Sequence, residues 1–153
     1  MLVVLVIVAA IAFSGSPQST QSGSTQNATD YSSYYNTAYG THGVVVTSFY
    51  KTTSDNGNDL YVGVVRNFSS PQSEPNTITL EICTSQSQAA QIYQTAVTNA
   101  TNAGYVARTT APVFNHPITQ GWQGDNAYND YKMIAYYQDA NVGNAWVVET
   151  QYM

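Results

Sequence analysis

Two histidines, one cysteine and nine carboxylates are all that this 153-residue chain offers to proton transfer, nucleophilic attack or metal binding. Cys83 stands just ahead of a segment with helical spacing, where the helix dipole favours a thiolate. A nucleophilic thiolate also needs a base, and only His42 and His116 are available. His116 sits in Asn115-His116-Pro117 within an irregular stretch, so a Cys83–His116 pair is one expectation. The plainer one is a small buried cysteine that does no chemistry. Asp55-Asn56-Gly57-Asn58-Asp59 and Asp125-Asn126 with Asn129-Asp130 are oxygen-rich loops of the kind that can hold Ca²⁺. The first departs from an EF-hand, because its glycine comes third rather than sixth, and the same residues are favoured in a hairpin turn. Two histidines in unrelated loops do not make a transition-metal site without carboxylate help. Neither a metal nor a cofactor is expected.

Pairs of carboxylates can hydrolyse a glycosidic bond, but nine acids in a chain of this length always include some pair, so that signal is empty. A glycine-rich phosphate loop, a nucleophile elbow and a His-Glu-x-x-His motif are all missing. What remains is the loop 111–130. There Gly121-Trp122-Gln123-Gly124 holds a large aromatic between glycines, a natural platform for a sugar or a protein partner. A ligand module built on this loop would bring Trp122, His116 and Asp125 together in a concave pocket. The competing expectation is that Trp122 folds back to plug one end of a sheet.

Charge excludes other classes. Net charge is −5, and the basic side chains are Lys51, Arg66, Arg108 and Lys132 alone. Nucleic-acid binding needs clustered Lys and Arg along the phosphates, and attraction to anionic lipid needs a polybasic patch. Four dispersed cations supply neither. Charged residues make up 8% of the chain, against about 25% in an ordinary soluble protein. A protein that depends little on ion pairs loses little when carboxylates protonate, which suits an extracellular setting, whether acidic or simply a polar wall. A single cysteine permits no intrachain disulfide and no cysteine-based zinc or iron–sulfur site. Asn27, Asn67 and Asn99 head N-glycosylation sequons, in a number that composition alone would give.

The elements that must position these residues begin with residues 1–13. Leu2 to Phe13 are uninterrupted apolar and as a helix would span roughly 18 Å, short of a bilayer core of about 30 Å. The length fits a secretory signal with Ala10-Ile11-Ala12 as its cleavage site, although a basic n-region is missing. A retained membrane anchor, an element packed within an assembly such as a strand donated to a neighbouring subunit, or a core strand or helix of the same domain are the alternatives. Residues 14–30, rich in Ser, Thr and Gln, read as a flexible linker, and residues 31–153 as one globular domain.

Within that domain Tyr31, Tyr34, Tyr35, Ala38 and Tyr39 have the spacing of one helical face, with Asp30 as cap and Gly40 as stop. Gly43–Tyr50 and Leu60–Phe68 predict a hairpin across Asn56-Gly57. Thr77–Cys83 alternates Ile78, Leu80 and Ile82 against Thr77, Thr79 and Glu81, the pattern of a half-buried strand. Ser85-x-x-Gln88 is a capping box before Ala89, Ile92, Tyr93, Ala96, Val97 and Ala100, with Gly104 at the stop. Tyr131–Gln138 and Ala145–Tyr152 predict a closing hairpin with Trp146 and Val148 on a common face. The order β-β-β-α-β-β predicts an α+β fold: an antiparallel sheet of about five strands with one helix on a face.

In layout the chain resembles archaeal secreted filament or pilin-like subunits, with an apolar N-terminus, a polar spacer and a Tyr- and Thr-rich domain. It lacks the basic-Gly processing site of a pilin precursor. That resemblance implies self-assembly. The expected function is an exported or surface-tethered, non-catalytic domain for assembly, adhesion or partner binding, with membrane contact through residues 1–13 if they are retained. An extracytoplasmic ligand-binding module or small hydrolase using the loop 111–130 is the alternative.

Overall fold

The computed structural model describes residues 29–40, 45–66, 76–114 and 116–153. Residues 1–13, most of the linker, Asn27 and Asn67 lie outside them. Helix α1 (Ser32–Gly40) comes first, then strands β1 (Val45–Thr53), β2 (Asp59–Arg66) and β3 (Asn76–Cys83). Helix α2 (Gln86–Asn102) leads to β4 (Val106–Ala107), β5 (Gln120–Asp125), β6 (Tyr131–Asp139) and β7 (Ala145–Tyr152). The strands form one sheet in the order β1-β2-β3-β7-β6-β5-β4, with every neighbouring pair antiparallel.

The α+β class and the antiparallel sheet are as the sequence predicts, but the sheet has seven strands rather than about five. The additional two are β4 and β5, the second of which lies inside the stretch expected to be irregular. Two helices cover the sheet rather than one, and they take opposite faces. Among the described residues no helix is long and apolar enough to cross a membrane.

Local chemistry accounts for the boundaries. Asp30 accepts from the Ser32 amide (2.9 Å) and the Ser32 hydroxyl (2.6 Å), satisfying an orphan donor at the start of α1. Ser85 caps α2 by accepting from the Gln88 amide (3.1 Å). The Gln88 side chain reaches back one residue further than a standard capping box, to the Thr84 amide at 2.8 Å. Gly104, at φ +92°, takes the left-handed turn after the helix. In the β1–β2 connection Ser54 and Asn58 close the turn through a 2.9 Å backbone bond, and Gly57 has φ +79°.

Strand alternation then sorts the core. Phe49, Tyr61, Ile78, Leu80, Tyr137 and Val147 point to one face, where they pack with Tyr35 of α1. Cys83, Ile134, Tyr136 and Val148 point to the other, under Ala89, Tyr93 and Ala100 of α2. Each fully buried large side chain contributes roughly 1.5–3 kcal/mol. Phe49 lies directly across the strand from Gly63, and its ring occupies the space where a side chain would be: a Cβ on Gly63 would come within 2.5 Å of it. Glycine is required there for close approach, not for turning.

Candidate functional site

On the α1 face the packing leaves a cleft of about 380 Å³, within the size range of small-molecule sites. Tyr34, Tyr35 and Tyr39 of α1 form one wall, and Tyr137 with the Asp139–Asn141 turn at the end of β6 forms the other. His116 and Pro117, from the loop that precedes β5, complete it. The helical period puts three tyrosines on one side of α1, and Tyr35 and Tyr39 anchor there on Phe49, with ring centroids 5.9 and 5.6 Å away.

Behind the cleft lies Glu149, fully buried on the central strand β7. A buried carboxyl group is costly unless its oxygens are met. Its Oε2 accepts from His116 Nε2 (2.8 Å) and from the Tyr137 hydroxyl (3.1 Å), and its Oε1 accepts from Gln151 Nε2 (2.6 Å). The other ring nitrogen of His116, Nδ1, is 3.2 Å from the Pro117 carbonyl oxygen. The Pro117 carbonyl only accepts, so Nδ1 is the donor there, and the Nε2 contact with Glu149 favours the protonated ring. Burial lowers the His116 pKa, yet the hydrogen bond to Glu149 and its charge outweigh that effect, and the net shift is upward. The ring also stacks on Tyr137, with centroids 4.1 Å apart.

The phenols are held neutral. Burial raises the pKa of Tyr34, Tyr35, Tyr39 and Tyr137, and the nearby Asp139 or Glu149 charge adds to it. Among the described residues, the Tyr35 hydroxyl is the one buried side-chain oxygen or nitrogen without a hydrogen-bond partner. Leaving such a group unmet costs about 1–3 kcal/mol.

The three residues read from the loop 111–130 do not converge. His116 lies in the cleft. Trp122 points to the opposite face, half-buried against the α2 cluster and with its ring over Gly124, so it packs instead of presenting a platform. Asp125 lies at the far end of β5 and binds Arg108 at 2.6 Å, with the guanidinium resting 4.5 Å over the Tyr131 ring. His116 precedes β5, and along the strand alternation sends Trp122 and Asp125 to opposite faces.

Cys83 also packs on the α2 face, away from His116, and burial pushes its thiol up to about 12, far from a thiolate. The oxygen-rich hairpin loop folds around a carboxylate: Glu81 Oε1 accepts from Ser54 Oγ (2.7 Å), Asn56 Nδ2 (3.0 Å) and Asn58 Nδ2 (2.8 Å). In the second such loop, Asn126 Oδ1 accepts from the Tyr128 and Asp130 amides, an Asx-type turn. Among the described residues no group of three or more His, Cys, Asp or Glu could hold a metal ion. Asn99 is exposed on α2.

Glu149 and Asp139 are the functional candidates that the sequence reading missed. The signal for Glu149 was its phase, since it alternates in step with the core residue Val147. Asp139 carried no such signal, because it reads as a turn residue. The arrangement suits binding: both imidazole nitrogens are engaged in hydrogen bonds, and the phenols stay protonated. No protein-family model, curated protein or solved structure matches this chain.

Proposed function

We propose that this chain is a non-catalytic binding domain of an exported or surface-tethered protein, and that a small polar ligand occupies the cleft between α1 and the Asp139–Asn141 turn. One observation carries the reading: a cleft of about 380 Å³ is walled by Tyr34, Tyr35, Tyr39 and Tyr137 and carries the Asp139 carboxyl group at its edge. The commitment of both His116 nitrogens favours binding over hydrolysis.

The test is an NMR panel of small sugars, amines and carboxylates against the full chain. At least one class is expected to move the amides of α1 and residues 137–141 while sparing α2. Tyr35→Phe is expected to leave that binding in place and, in free protein, to raise unfolding stability by about 1 kcal/mol, since it removes an unsatisfied buried group. A panel in which nothing moves those amides sinks the reading.

Assembly or protein-partner binding is the second reading, favoured by β1, which has one strand neighbour among the described residues and so leaves an open edge. The surface location rests on the apolar residues 2–13 and the scarcity of charge. Native mass spectrometry of protein taken from its host reads the mature N-terminus, glycans at Asn27, Asn67 or Asn99, and oligomeric state together. A monomeric cytosolic product with an intact N-terminus contradicts both.

A further inference from the structure

We propose that the ligand of this cleft is a small organic ammonium ion, held by the Asp139 carboxylate and by the aromatic side chains of Tyr34, Tyr39 and Tyr137 that line it. The inference rests on the reading of the cleft as a binding site and adds its chemical selectivity.

The charges around the cleft carry the argument. Two carboxyl groups, Asp139 at its edge and Glu149 behind it, face a single cationic group, His116. Both nitrogens of that ring are already engaged, by Glu149 and by the Pro117 carbonyl. No lysine or arginine is among the described residues that line the cleft. An anionic guest would therefore meet Asp139 without a compensating donor of charge. A cationic guest meets a carboxylate whose hydrogen bonds to the Asn141 amide (2.9 Å) and side chain (3.2 Å) both fall on Oδ1, leaving the lone pairs of Oδ2 for it.

The walls suit the same guest. Aromatic faces carry negative quadrupole potential and attract ammonium groups, most strongly where water is excluded. Neutral phenols keep that potential without the cost of burying further charge, and burial holds these phenols protonated. A sugar would also lie against tyrosine faces but would gain less from the carboxylate. A neutral guest also leaves the net charge of the cleft uncompensated.

The experiment compares choline with the uncharged isostere in which carbon replaces its nitrogen, titrated into the full chain and followed by NMR. Choline is expected to shift His116, Tyr39 and the 137–141 amides, and to bind about tenfold or more tightly than the isostere. Asp139→Asn, which keeps a side chain able to cap the following turn, is expected to remove most of that preference. Equal affinity for choline and its isostere in the unmodified protein overturns the ammonium assignment and leaves the binding reading in place. So does binding of neutral or anionic probes alone. If no probe of any charge perturbs the cleft, both readings fall.

Discussion

The face under α2 and the face under α1 are closed from the same seven strands by different means. Under α2, Ala89 and Ala100 let the helix lie close, and Tyr93, Ile134, Tyr136 and Val148 fill the space with a lone protonated cysteine among them. Under α1, tyrosines do the filling, a glutamate sits fully buried among them, and a half-buried histidine meets its charge. Small side chains permit a dry, close fit. Long amphipathic ones bring hydroxyls that must each find a partner, and one of them does not. One face is closed by apolar fit, and the other holds the polar groups on which the proposed binding rests.

The largest expected effect breaks the polar face. Glu149→Ala removes the acceptor shared by His116, Tyr137 and Gln151 and leaves those donors unmet over a cavity, which costs about 3–5 kcal/mol in chemical denaturation. Ala89→Leu on the opposite face overpacks a site with no exposed area, at about 1–3 kcal/mol. If the order is reversed, the contrast between the faces is wrong.

A smaller effect sharpens the comparison through pH. The folded pKa of His116 lies above the unfolded value of 6.5. A group of this kind gives its stabilisation in full below the unfolded value and loses it as pH rises through the folded one. Stability should therefore fall on the alkaline side of 6.5, by less than the loss of the whole pair. Charges facing the ring are Glu149 and, more distantly, Asp139, both of which favour the cation. His116→Gln should flatten the profile between 6.5 and 9.0, below the range where an unfolded thiol ionises, whereas Cys83→Ala on the other face should leave its shape in that window unchanged. An equal alkaline loss in His116→Gln would show that another group is responsible.

Much of the frame was legible because local signals and tertiary packing agree. The α2 capping pattern, the alternation in β3 and the Asn56-Gly57 turn are each set by short-range chemistry that survives in the fold. The tyrosine stripe of α1 was legible as a packed face. Strand β5 was not, because Gln120–Asp125 carries two glycines and no β-branched residue. It is a strand because β6 pairs with it and because Pro112 and Ile118 pack over Gly121. Its strand character is borrowed from its neighbours, which a propensity scan cannot see. The site was half legible: His116 was named for its chemistry and Trp122 for its size, but only the pairing of the strands reveals that they face opposite ways.

Gly63 has a reach out of proportion to its size. With Phe49 folded into the gap that it leaves, the first hairpin is keyed like a mortise, and sliding one strand by a residue would drive the ring into Val62 or Val64. Tyr35 and Tyr39 rest on that same ring. The helix that walls the cleft thus takes its seat from a hydrogen atom two strands away, and a single methyl group there would tilt the doorway without touching it.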